Sequence, residues 1–173
     1  VPPSTANRPL PPAAIKDLGE KGESVTTFGR MLGNFKDEYA GKKTSMAGEA
    51  QNLVGRNLGG GFTDQADWWQ DYQNQKNIIR NKLFGSALTA TEKEEFDRAA
   101  ITPGMLPEIV RRNLGRQQDA ARRAARKLSK AYSAGGYSDE QIEASLGFTL
   151  ADIENQVPAA PPAATPKPWE KKR

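Results

Sequence analysis

The sequence predicts an all-α fold: an elongated helical protein with proline-rich extended N- and C-terminal arms. Three observations predict it. Apolar residues recur at helical spacing in one segment after another. Most of these segments open on a capping residue and close on glycine. The 12 prolines and 16 glycines are concentrated rather than spread, and the prolines gather mainly at the two ends. Hydrophobic content is 36% and mean hydropathy −0.73, both low for 173 residues that must bury one large core. An extended chain, or one whose core is completed by partners, fits that balance.

The elements follow in order. Residues 1–12 ("VPPSTANRPLPP") read as a proline-rich arm. Residues 13–61 are glycine-punctuated and predict short helices. One covers Ser24–Tyr39, with Val25, Phe28, Leu32, Phe35 and Tyr39 on one face. A second carries Met46, Ala50, Leu53, Val54 and Leu58 and stops at Gly59. Gly41, Gly48 and Gly55 recur every seven residues, and each glycine inside a helix costs about 1 kcal/mol. These helices are therefore expected to need an outside surface.

Residues 62–157 predict the main helical domain. Thr63 caps a long helix that ends at Gly85 and has Trp69, Tyr72, Ile79 and Leu83 on its apolar face. Thr89 and Glu92 form a capping box for a short helix to about Ala100. "TPGMLP" is a turn, and Pro107 opens a long helix that ends near Gly135. Ser138 with Gln141, and Thr149 with Asp152, start two short helices joined by Leu146-Gly147-Phe148. Residues 158–173 are a proline-rich basic tail.

The charge pattern is sharpest in the long helix. Arg111, Arg112, Arg116, Arg122, Arg123, Arg126, Lys127 and Lys130 fall within a sector about 160° wide. Val110, Leu114, Ala121, Ala125, Leu128 and Tyr132 gather opposite. Eight basic groups less Glu108 and Asp119 leave a net +6 over 107–136. A solvated face, a phosphate-tracking stripe, a membrane-surface helix and a protein-docking face all remain open. The next segment bears on the last of these. It holds Asp139, Glu140, Glu143, Asp152 and Glu154 and no basic residue, so it reads as an acidic docking surface, within the chain or between copies. The helical pair is a poor helix-turn-helix, because "LADIENQ" would present carboxylates to phosphates.

Chemistry is scarce. No cysteine and no histidine occur, which removes disulfides, thiolate metal sites and the commonest general base. No apolar run approaches the roughly 20 residues of a spanning helix. Glu23-Ser24 matches the dipeptide of lytic transglycosylases, but the signature expected downstream is missing. "LGGGF" lacks the lysine of a phosphate-binding loop. Asp64, Asp67 and Asp71 share a helix face as dipole partners, and Trp68-Trp69 divides between core and outside. No catalytic residue, metal ligand or cofactor is expected. Val1 is read as the start of a processed or truncated form.

"RPLPPAA", "FTDQADWWQDYQNQKNIIRNKLFG", "LTATEKEEFDRAAITPGMLPEIVRRNLGRQ" and "GGYSDEQIEASLG" together resemble segments of tailed-bacteriophage virion proteins. These are internal structural proteins grouped with DNA-ejection proteins. The resemblance covers roughly Phe62–Phe148 and the proline arm, and it transfers no site residue. It implies a non-enzymatic virion component near the portal or tail channel that aids genome delivery. Its implied partners are further copies, other virion proteins and packaged DNA, with host membrane contact after ejection. It implies location in the virion, then in the host envelope or cytoplasm. The alternatives are a stand-alone nucleic-acid-binding helical protein and a non-catalytic fragment of a peptidoglycan hydrolase.

Overall fold

The computed structural model describes residues 8–41, 63–84 and 89–154. Among these the chain is all-α, with six α-helices, a short 3-10 turn and no strand. The helices are α1 (Pro12–Asn34), α2 (Thr63–Phe84), α3 (Ala90–Arg98), α4 (Pro107–Ala134), α5 (Asp139–Leu146) and α6 (Leu150–Glu154). The 3-10 turn is Asp37–Tyr39.

The first helix differs from expectation. It is one helix of 23 residues, starting twelve residues before Ser24 and stopping five before Tyr39. Pro11 and Pro12, read as arm, are its start: Pro12 sits in the first turn, where a missing N–H costs nothing. Ala14, Leu18, Val25, Phe28 and Met31 make its buried stripe. Phe35 and Tyr39 are buried too, but from the extended residue after the helix and from the 3-10 turn. Leu18 and Phe28 have no exposed surface, so this helix does not wait for an outside one. A single core cluster takes residues from both sides of the boundary at Gly61. The second short helix expected at Met46–Leu58 lies outside the described residues, as do most of the N-terminal arm and all of the tail.

The glycines of α1 also have another reason. A Cβ on Gly22 would lie 1.9 Å from the carbonyl oxygen of Leu146 on α5. A Cβ on Gly29 would lie 2.7 Å from the Gln118 side-chain amide on α4. Gly22 and Gly29 let a backbone and a polar side chain approach, which outweighs their helix penalty.

α1 runs antiparallel to both long neighbours. Trp68 Nε1 of α2 donates to Met31 O at 3.3 Å, while Lys82 Nζ meets Glu23 at 2.6 Å. On α4, Arg111 Nη2 donates to Phe35 O at 3.3 Å, while Gln118 lies farther back against Gly29. The Tyr72 hydroxyl then ties α2 to α4. It accepts from Gln117 Nε2 at 3.1 Å and from Ile101 N at 3.2 Å. Burial pushes its pKa up.

Both tryptophans are used. Trp69 is buried and donates to Tyr39 O at 2.8 Å. Trp68 packs against Phe35 at 5.1 Å and stacks over Tyr72 with an interplanar angle of 7°. The apolar face expected for α2 is the buried one: Trp69, Tyr72, Ile79 and Leu83.

The local signals downstream hold, with the Ser138–Gln141 capping box only half formed. Thr89 and Glu92 form the reciprocal capping box of α3. Pro107 opens α4 and Gly135 caps its end. Ser138 accepts from Gln141 N, without the reciprocal bond. Gly147 turns the chain at φ +84°, and Thr149 exchanges bonds with Asp152 at the head of α6.

Candidate functional site

The basic face of α4 is the candidate site, and packing divides its cations into two sets. The first set is engaged within the chain. Arg111 holds Asp37 at 2.7 Å and lies 5.1 Å from the Phe35 ring centroid. Arg122 meets Asp119 one turn back at 3.4 Å, with its side chain only 17% exposed. Arg123 faces Glu95 at 3.4 Å, and Lys127 holds Glu92 at 2.7 Å. Arg126 donates to the carbonyl of Ile153 near the end of α6, where helix carbonyls lack partners.

The Lys127 bond and the Thr89 backbone bond hold the Glu92 carboxyl down at about 2. Glu92 therefore serves two structures at once, the cap of α3 and the clamp between α3 and α4.

The second set is Arg112, Arg116 and Lys130, all exposed and without an ion-pair partner among the described residues. At about 100° per residue they fall within a sector roughly 40° wide along α4. They do not form a continuous row. Arg112 and Arg116 are one turn apart, and about 21 Å of helix separates Arg116 from Lys130. Arg123 and Lys127, in that gap, face the carboxylates of α3.

The acidic segment after α4 is not what meets these cations. Asp139 accepts from Ser133 Oγ at 2.9 Å, and Glu143 accepts from Leu150 N at 2.7 Å, capping α6. Asp152 accepts from the Thr149 hydroxyl at 2.8 Å. Glu140 is exposed, and Glu154 is the last residue of α6. The carboxylates that do meet α4 from other elements are Asp37, Glu92 and Glu95, none of which sequence reasoning assigned to that task. A capping box that opens a helix of four acids was a partial signal, because such a helix must lay its acidic side somewhere.

A second charged feature lies where α1 ends and α2 begins. Asp64, Asp67 and Asp71 line a groove of about 550 Å³ with Trp68, Tyr39 and Lys36. Asp71 is paired with Arg30 at 3.4 Å. Asp64 and Asp67 have no ion-pair partner among the described residues, although Lys36 shares their groove.

Glu23, the catalytic candidate considered from sequence, is an exposed carboxylate paired with Lys82. Among the described residues no group of three potential metal ligands converges, and no helix is long and apolar enough to cross a membrane. No protein family, curated protein or solved structure matches the chain.

Proposed function

We propose that the chain is a non-enzymatic structural protein of a tailed-bacteriophage virion, an internal or ejection-type component near the portal or tail channel. It assembles in several copies with other virion proteins, close to packaged DNA. The sequence segments that resemble such proteins support this reading. They correspond to α2 through α5, a helical scaffold whose conspicuous charges tie helices together.

The observation that carries the choice of a structural role over a stand-alone nucleic-acid binder is the division of the α4 cations. Five of the eight are engaged by Asp37, Asp119, Glu95, Glu92 and the Ile153 carbonyl. A phosphate-tracking stripe needs cations free to displace counterions along its length. Here the middle of the stripe faces the acids of α3. Contact with packaged DNA is then an effect of crowding, through exposed cations such as Lys130.

The test is fractionation of particles. The protein should co-purify with intact virions and be lost from particles that have released their DNA. Absence from purified virions would overturn the reading. Peptidoglycan hydrolysis by purified protein in a zymogram, lost on Glu23→Gln, would favour the hydrolase alternative.

A further inference from the structure

The groove between α1 and α2 and the exposed arginine pair of α4 are complementary in charge and in spacing. We propose that they form the contact between copies of this chain: Arg112 and Arg116 of one copy enter the groove beside Asp64 and Asp67 of another. This rests on the multi-copy assembly proposed above and names the surface through which it occurs.

The acidic half is built by helix geometry. Asp64, Asp67 and Asp71 recur at i, i+3 and i+7 and line one groove with the rings of Trp68 and Tyr39. Carboxylates beside aromatic rings suit a guanidinium, which pairs with the acids and packs its plane against apolar ring surface. Lys36 already lies 5.6 Å from the centroid of the Tyr39 ring, so the groove floor accepts a cation.

The basic half matches it. Arg112 and Arg116 are separated by one turn, about 6 Å, as are neighbouring acids on α2. Neither pair makes an ion pair among the described residues, whereas the other cations of α4 are mostly engaged. The α5–α6 acids are poorer candidates for the same task, because Asp139, Glu143 and Asp152 already accept hydrogen bonds from their own chain. A cation meeting Asp64 or Asp67 breaks no existing ion pair. Lys36 and Arg30 are the cations it must displace or share with.

The experiment is the mass of purified full-length chain by sedimentation, as a function of concentration and salt. The wild type should self-associate, more weakly at high salt. Arg112→Glu with Arg116→Glu should weaken association by about tenfold or more, and so should Asp64→Lys with Asp67→Lys. Combining all four changes should restore association to near the wild-type level, because the complementarity is reversed rather than removed. Unfolding midpoints near the wild-type value keep the comparison free of folding defects.

A wild type that stays monomeric overturns the proposal. So does a four-fold variant no better than the two double variants. If Asp64→Lys with Asp67→Lys lowers the unfolding midpoint and leaves the mass distribution unchanged, a segment of the same chain occupies the groove and the proposal fails. These outcomes are read without particles, so they stand apart from success or failure of virion association.

Discussion

Lys21 of α1 donates from Nζ to the main-chain carbonyl of Lys82 at 2.5 Å, two residues from the end of α2. Helix-terminal carbonyls lack an intrahelical partner, and a cation there also meets the negative end of the dipole. Lys21 is 1% exposed, and burial pushes its pKa down. Lys21→Met keeps the stem and removes the donor. It should cost about 1–3 kcal/mol in a urea titration, since the carbonyl loses its partner. Glu23→Gln, which loses an exposed ion pair to Lys82, should cost under about 1 kcal/mol.

Two glycine substitutions should move stability in opposite directions. Gly22→Ala places a methyl 1.9 Å from the Leu146 carbonyl, where two backbones must separate. A loss of about 2 kcal/mol or more is expected. Gly115→Ala on α4 meets nothing within 4 Å and should stabilise by about 0.5–1 kcal/mol. Thermal unfolding of both variants decides it. Equal effects would mean that the α1–α5 crossing is looser than described.

Acid sensitivity should centre on Glu92. Its carboxyl sits at about 2 in the folded chain against an ordinary 4.5. The depressed value means that this stabilisation is complete above about pH 4.5 and disappears as pH falls toward 2. With Lys127 half exposed, the contribution is on the order of 1 kcal/mol. Glu92→Gln should flatten that part of the pH–stability curve. Thr89→Ala should cost about 1 kcal/mol at neutral pH through the lost cap.

Nucleic-acid binding should be weak and only mildly dependent on salt. With three exposed, unpaired cations on α4, that helix should contribute no more than about 2.7 to the magnitude of the slope of log affinity against log salt. Arg112→Gln, Arg116→Gln and Lys130→Gln together should abolish most of it. Arg122→Gln, Arg123→Gln and Arg126→Gln should instead lower stability, since these side chains hold Asp119, Glu95 and the α6 carbonyl. A steep slope that collapses in this second triple variant would restore the phosphate-tracking stripe.

What the sequence determined by itself was local. Capping boxes, proline at the first turn and glycine at the end are contacts within a few residues, so Thr89–Glu92, Pro107 and Gly135 mark their helices as they stand in the chain. Periodicity likewise identified the buried face of α2, because helical spacing fixes which residues share a side. Tertiary structure decided the rest. Whether Pro11–Pro12 continues an arm or starts a helix depends on α1 having α2, α4 and α5 to pack against. Whether Gly22 weakens a helix or allows a crossing depends on where Leu146 arrives, 124 positions away. The role of the basic stripe was hidden for the same reason. A helical wheel places eight cations on one side, but only folding brings Asp37, Glu92 and Glu95 to face them, and charge pairing acts over ångströms in space whatever the separation in sequence.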